Sequence, residues 1–245
     1  MRKIIIKLIN FYRSYKTQAH PGDQKNNFTR WLYLLSRGNV NLIYKAYFNT
    51  AFDWKQLDIE VINKLNNTMP SNPEGCLLDK VNDLRTRTQV SFLVSILKQI
   101  NAKKILEIGT HKAMFCYVVH LYDNSITIDT FSNLPESQKA VDILSRKYGE
   151  YIHYHLGDSR QTLKDFSPNY QIDFAWIDGS HYYEVLMSDL VNCDRLKILN
   201  IAVDDYKWSN DVKKAVDKFV AKYNYSITDI SNLIDYRGII HLTRN

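Results

Sequence analysis

Short apolar segments alternate with segments of helical periodicity through the C-terminal two thirds of the chain, and this alternation most constrains the fold. Five apolar runs, each with Gly or Asp as its last or next-to-last residue, occupy residues 103–109, 125–130, 151–158, 171–179 and 199–205. Helical patterns occupy residues 82–100, 113–122, 135–148, 182–191 and 209–222. Strands that alternate with helices of about 10 to 15 residues are typical of βαβ units, whose parallel sheet is covered on both faces. The pattern predicts a doubly wound α/β domain.

The C-terminal end breaks this alternation. Residues 223–230 and 238–244 have strand-like sequences and are separated by only seven residues. Parallel neighbours need a crossover of about a dozen residues or more, so this last pair must be antiparallel. Together with the five earlier runs, it predicts a Rossmann-like seven-stranded sheet with an antiparallel C-terminal strand.

The N-terminal part of the chain has a different character. Residues 1–80 show no two-residue period and suggest short helices joined by polar turns, so we divide the chain into a helical extension (1–80) and an α/β domain (81–245). The first 50 residues contain nine Lys or Arg and one Asp, a net charge of +8, whereas the whole chain carries +6. Such a segment favours an anionic partner, although a solvated charged face would have the same composition.

The beginning of this extension is apolar as well as basic. Lys7 interrupts its apolar run, and no segment approaches the roughly 18 apolar residues of a membrane span. Residues 1–16 suit a short helix that either contacts an anionic membrane surface or packs on a partner subunit, and the second option predicts a homo-oligomer. The three cysteines, Cys76, Cys116 and Cys193, have no metal-site spacing, which favours a reducing, cytoplasmic setting.

Ligands of open α/β sheets bind beyond the carboxyl ends of the strands, so the residues that end each apolar run are the candidate site. Gly109 ends the first run and allows close approach of the backbone to a ligand. Asp129 lies at the end of the second run, twenty positions later, where a carboxylate can accept both ribose hydroxyls. The two residues predict half of a nucleoside-binding site.

Several of these segments resemble class I S-adenosylmethionine (SAM)-dependent methyltransferases. The resemblance covers residues 82–245 and rests on ILEIGT (105–110), Asp129, GDS (157–159) and the antiparallel end. The segments WIDGSHYYEVLMSDL (176–190) and IAVDDY (201–206) are similar to small-molecule O-methyltransferases, including those that act on sugars. The resemblance implies SAM as cofactor and transfer of a methyl group to a hydroxyl.

The resemblance also assigns cofactor contacts. Those contacts are Glu107, Gly109 and Thr110 at the methionine part, Asp129 at the ribose, and Asp158 and Ser159 beside the adenine. The chain departs from the family in having His111, Lys112 and Ala113 where further glycines are usual, and His111 and Lys112 are alternative contacts for an anionic substrate. It also lacks the usual Pro-Gly-Gly turn at residues 197–200.

Acidic residues and a histidine follow the fourth and fifth strands. If these strands are neighbours, their terminal carboxylates converge, and such hard oxygen ligands suit Mg²⁺ or Ca²⁺. By the resemblance, Asp178, Asp204 and Asp205 are the expected ligands of a Mg²⁺ ion, with Asp178 and His181 as catalytic residues. A histidine can also take the hydroxyl proton directly. Plainer roles are open: capping of the next helix by Asp204 or Asp205, a tight turn at Asp178, and simple hydrogen bonding by His181.

The acceptor follows less directly from the sequence. Because SAM is itself cationic, the basic segment is expected to face the acceptor, which favours an anionic small molecule such as a sugar nucleotide. The alternatives are a nucleic-acid methyltransferase, a nicotinamide-dependent oxidoreductase and a non-catalytic nucleoside-binding protein of the same fold. The turn at residues 178–181 lacks the motif of base-methylating enzymes, and the full G-x-G-x-x-G of dinucleotide sites is missing.

Overall fold

One seven-stranded sheet organises the protein, whose computed structural model describes residues 52–69, 84–231 and 237–245. Its strands are β1 (Lys104–Ile108), β2 (Thr127–Ser132), β3 (Ile152–Leu156), β4 (Phe174–Ile177), β5 (Asn200–Val203), β6 (Tyr225–Ile230) and β7 (Ile240–Arg244). Their order is β3-β2-β1-β4-β5-β7-β6, and β7 is antiparallel to both of its neighbours. The predicted fold, with its antiparallel C-terminal strand, is confirmed.

Helices cover the sheet between most of the strands. They are α1 (Ile59–Asn66), α2 (Leu84–Ile100), α3 (Met114–Tyr122), α4 (Pro135–Tyr148), α5 (Ser159–Asp165), α6 (Tyr183–Arg195) and α7 (Asn210–Lys222). Local sequence explains several starts: Pro135 occupies the first turn of α4, and the Ser209 hydroxyl accepts a hydrogen bond from the Val212 amide at the start of α7. Because Ser209 caps α7, neither Asp204 nor Asp205 has the capping role considered above.

Parallel register brings the carboxyl ends of the central strands to one edge of the sheet. Ile108 at the end of β1 pairs with Phe131 in β2 and with Ile177 in β4, and Ile177 in turn pairs with Val203 at the end of β5. The loops that follow β1, β2, β4 and β5 therefore leave the sheet side by side. The order reverses between β1 and β4, which is where ligands bind in such sheets.

The hydrophobic core lies on both faces of the sheet. Ile105 of β1 belongs to one cluster of buried side chains, and Leu106 and Ile108 belong to another, as the two-residue period of a strand requires. From the predicted N-terminal extension, Ile62 and Leu65 of α1 are buried in the same cluster as Ile105. This part of residues 1–80 therefore packs into the core of the α/β body.

Two elements differ from the predicted ones, and part of the N-terminal prediction falls on residues that the structure does not describe. Strand β2 continues to Ser132 rather than ending near Asp129, and α5 was not anticipated from the sequence. The basic segment, including residues 1–16 with their predicted membrane or subunit contact, lies outside the described residues, and so does Cys76. Among the described helices, none is both long enough and apolar enough to cross a membrane.

Candidate active site

A cavity of about 730 Å³ lies at the carboxyl edge of the sheet, where the strand order reverses. Its wall is formed by the loops that follow four neighbouring strands, together with the start of α6 and two arginines from elsewhere in the chain. The loop residues that contact it include Gly109 after β1, Asn133 after β2, Ser159 after β3 and Asp178 after β4. This is the position predicted from the ends of the apolar runs.

Gly109 sets how closely the loops after β1 and β4 approach each other. Its φ angle is 109°, and a Cβ atom on it would lie 2.2 Å from the carbonyl oxygen of Asp178. Its amide donates a hydrogen bond of 2.9 Å to the carbonyl of Phe131. The glycine is therefore required first for contact between two protein loops, and it also lines the cavity.

Behind this loop, Glu107 belongs to a buried hydrogen-bond network. One of its carboxylate oxygens accepts from the Thr130 hydroxyl at 2.5 Å and from the Cys116 thiol at 3.1 Å. The hydroxyl of Thr110 lies 2.6 Å from that of Thr130 and extends the network. Burial raises the pKa of Glu107 to about 7, because the hydrogen bonds offset only part of the desolvation of its charge. Glu107 and Thr110 lie beneath the cavity wall rather than in it.

The position of Asp129 differs from the prediction. It lies within β2, three residues before the strand ends, and is buried away from the cavity. Its carboxylate accepts a hydrogen bond from the Tyr170 hydroxyl and lies 2.9 Å from the His155 ring nitrogen Nε2. The strand stays extended for three residues beyond the aspartate, so Ser132 and Asn133 occupy the edge where a ribose-binding residue was expected.

Asp158 and Ser159 lie where the sequence placed them, beside the cavity at the start of α5. The Asp158 carboxylate accepts from the Arg160 amide at 2.9 Å and forms an ion pair with the Arg160 guanidinium. These hydrogen bonds lower the pKa of Asp158 below its ordinary value. Asp158 thus caps α5 and contacts the cavity at the same time, and its predicted role beside the adenine stays a prediction.

The turn after β4 carries the two predicted catalytic residues. Asp178 is exposed into the cavity, and its amide donates to the Ile108 carbonyl at 2.8 Å, which ties this turn to the end of β1. His181 is 44% exposed and lies between Ser180 and Tyr182, which both line the cavity. Its ring nitrogen Nε2 is 3.2 Å from the Oδ2 atom of Asp205, which leaves Nδ1 as the atom available for a proton.

The two aspartates after β5 lie beside cationic side chains. Asp204 accepts from the Gln89 amide at 2.9 Å and from the Arg85 guanidinium at 3.5 Å. Asp205 lies 3.7 Å from the Arg85 guanidinium and 3.5 Å from that of Arg237. In the described parts of the chain, no group of three or more His, Cys, Asp or Glu side chains is arranged to hold a metal ion. Guanidinium groups already balance the charge of Asp204 and Asp205, and the metal role of Asp178, Asp204 and Asp205 stays a prediction.

Comparison with known families identifies the domain. Residues 106–198 match the model of a family described as a methyltransferase domain. The matched segment is similar to this family and agrees with the predicted enzyme class, a SAM-dependent methyltransferase, rather than with the nicotinamide-dependent alternative. A comparison with curated proteins gives no significant match.

Solved structures share the fold of this methyltransferase domain at low sequence identity. One is the methyltransferase PaMTH1 of Podospora anserina bound to S-adenosylhomocysteine (SAH), with 17% identity, coverage of 86% of this chain and 95% of that chain, and a TM-score of 0.58. Another is the O-methyltransferase TomG of Streptomyces achromogenes in complex with SAM, with 13% identity, coverage of 77% and 91%, and a TM-score of 0.59. The O-methyltransferase of Bacillus cereus in complex with SAH has 15% identity, coverage of 78% and 93%, and a TM-score of 0.56.

The cavity of the methyltransferase domain suits SAM in size and chemistry. Its volume lies within the range of about 300–1,000 Å³ that is usual for small-molecule sites. It combines apolar surface from Phe131 with the Asn133 amide, the Ser159 hydroxyl and the exposed Asp178 carboxylate. A ligand with an aromatic base, a ribose and a cationic amino-acid part needs contacts of these kinds.

Sequence reasoning missed the two arginines of the site. Arg85 lies in the first turn of α2, before the first strand, and Arg237 lies just before β7. Neither follows one of the five apolar runs, so the rule that located the other residues does not reach them. A weak signal was available for Arg237, because it is the only Lys or Arg between the two C-terminal strand-like runs, 223–230 and 238–244.

Proposed function

We propose that the methyltransferase domain transfers a methyl group from SAM to a hydroxyl of a small molecule, with a sugar as the acceptor class. The observation that carries this proposal is the pairing of His181 with the buried Asp205 beside the cavity. A carboxylate that holds one ring nitrogen orients the other toward a substrate proton, which is the arrangement of a general base. The names of TomG and of the Bacillus cereus enzyme as O-methyltransferases agree with it.

The cavity suggests how the cofactor would lie. The methionine part of SAM would bind near Gly109 and Asp178, and its ribose near Asn133. Its adenine would bind near Asp158 and Ser159, so the three parts follow the order of the strands before these residues. When bound, SAM supplies an electrophilic methyl group on a sulfonium. The negative charge of the Asp178 carboxylate would stabilise the positively charged methionine part of SAM.

The residues of this chain would then act on the acceptor hydroxyl. Nδ1 of His181 takes the hydroxyl proton as the acceptor oxygen forms its bond to the methyl carbon, and the carbon–sulfur bond breaks with its electron pair left on sulfur. Asp205 stabilises the imidazolium that results, since its Oδ2 atom is 3.2 Å from Nε2. The products are a methyl ether and SAH, and no metal ion is required by this sequence of events.

The decisive experiment measures methyl transfer from labelled SAM to a panel of hydroxylated acceptors. We expect transfer to sugars or sugar nucleotides, and a loss of about 10²- to 10⁴-fold in kcat for His181→Gln with unchanged affinity for SAH. Asp205→Asn should lower kcat in the same direction. Transfer to RNA with flat activity across sugars, or thermal stabilisation by NADH but not by SAM or SAH, would contradict the proposal.

A further inference from the structure

Two arginines from distant parts of the sequence meet at one side of the cavity. Arg85 comes from the first turn of α2 and Arg237 from the segment before β7, and both contact the cavity. Asp205 lies between them, with its Oδ1 atom 3.7 Å from Arg85 and its Oδ2 atom 3.5 Å from Arg237. Arg85 also reaches Asp204 at 3.5 Å. The site therefore holds two guanidinium groups where acidic residues alone would favour a divalent cation.

The arginines, and not the carboxylates, face the cavity. The side chains of Asp204 and Asp205 are only 7% and 4% exposed and do not line it, whereas those of Arg85 and Arg237 are 19% and 37% exposed and do. The carboxylates thus lie behind the guanidinium groups and hold them in place. A ligand that enters this side of the cavity meets positive charge first.

Arg237 is fixed by its surroundings. Its guanidinium lies 5.2 Å from the centre of the Trp208 ring, a cation–π distance, and its carbonyl accepts from the Lys207 amide at 2.7 Å. The side chain is thus held by a ring on one side and by Asp205 on another. A guanidinium that is already oriented loses little conformational entropy when it binds an anion, and its planar fork matches a phosphate or carboxylate.

We propose that Arg85 and Arg237 form an anion subsite that binds the phosphoryl groups of the acceptor without a metal ion. This rests on the proposed function and specifies its acceptor as a phosphorylated sugar, such as a sugar nucleotide. The planar forks of the two guanidinium groups can each donate to one phosphoryl group of a diphosphate, which a neutral sugar does not carry. Two other charged side chains that line the cavity lie where the cofactor is proposed to bind: Arg160 at the adenine end, beside Asp158, and Asp178 at the methionine end.

The test uses uridine diphosphate (UDP) as the probe and the full chain loaded with SAH. Calorimetry measures UDP affinity for the wild type and for Arg85→Met and Arg237→Met, with Arg244→Met as the matched control. Arg244 is an equally half-buried arginine that pairs with Asp194 at 3.3 Å and does not line the cavity. We expect UDP affinity to fall about 10- to 100-fold in the two cavity variants and to stay unchanged in the control, with SAH affinity unchanged throughout.

Two further controls, a pair of lysine variants and a measurement in EDTA, make the result unambiguous. Arg85→Lys and Arg237→Lys keep the charge beside Asp204 and Asp205, so they fold even where a methionine variant does not. Because lysine lacks the planar fork, they should still weaken UDP binding, by about 3- to 10-fold.

The second control measures UDP affinity in the presence of EDTA, where we expect it to be unchanged. Loss of binding in EDTA with recovery in Mg²⁺, or equal UDP affinity in all variants, would overturn the subsite. Intact UDP binding without methyl transfer to any hydroxyl would instead refute the proposed function alone.

Discussion

Glu107→Gln should make the protein more stable at alkaline pH. Glu107 is fully buried, and its pKa is raised from 4.5 to about 7 by desolvation. Between these two values the folded state binds a proton that the unfolded state has lost, so the stability contributed by this group is complete below pH 4.5 and is lost as the pH rises to 7. The shift corresponds to about 3 kcal/mol. Glutamine removes this penalty because it is neutral at every pH, and its amide oxygen can still accept from Thr130 and Cys116.

The measurement is urea unfolding of the wild type and of Glu107→Gln, followed by tryptophan fluorescence between pH 4.5 and pH 8. The difference in unfolding free energy should shift in favour of the variant by about 3 kcal/mol across this range and level off above pH 7. Burial likewise raises the pKa of Asp189 to about 7, but both proteins contain this residue, so its effect cancels in the difference. A difference that does not change with pH would refute the reasoning.

Three other substitutions test separate parts of the structure. Gly109→Ala should destabilise the protein by about 1–3 kcal/mol more than Gly149→Ala. Both glycines have positive φ, but of the two only Gly109 is closely approached by backbone atoms. Equal losses of stability in thermal unfolding would contradict this. Ile62→Ala should lower the free energy of unfolding by about 2–5 kcal/mol in urea, since Ile62 is buried in the core of the α/β body; a neutral result would show that α1 is dispensable. Tyr170→Phe should lower the free energy of unfolding by about 1–3 kcal/mol in the same assay, because it removes a hydrogen-bond donor to buried Asp129. SAH affinity measured by calorimetry should not change. A tenfold loss of that affinity would instead indicate that Asp129 binds the ribose.

Local sequence patterns were sufficient to predict most of the sheet. Strands that are apolar on both faces and separated by helical stretches can hardly be arranged except as a parallel sheet, and the short separation before the last strand required an antiparallel pair. The same patterns placed Gly109, Asp158, Ser159 and Asp178 at one edge, because each lies at or directly after the end of an apolar run. All four do contact the cavity.

The position of Asp129 within β2, and not at its end, has a cause that lies outside its own segment. The sequence places an acid at the end of an apolar run, but hydrogen bonds to β3 keep the chain extended as far as Ser132. Its partners, His155 and Tyr170, are 26 and 41 residues away, so no local pattern indicates that its carboxylate is already engaged.

The chain by itself determined the order of strands and helices, and with it the edge of the sheet where chemistry takes place, since both follow from hydrophobic periodicity and from the short reach of a connection. Only the tertiary structure decided which charges meet there. Arg85 is 119 residues from Asp204, and Arg237 reaches Asp205 through the antiparallel return of β7. Charges interact through distance in space rather than in sequence, so no local pattern could show that Asp204 and Asp205 lie against two arginines.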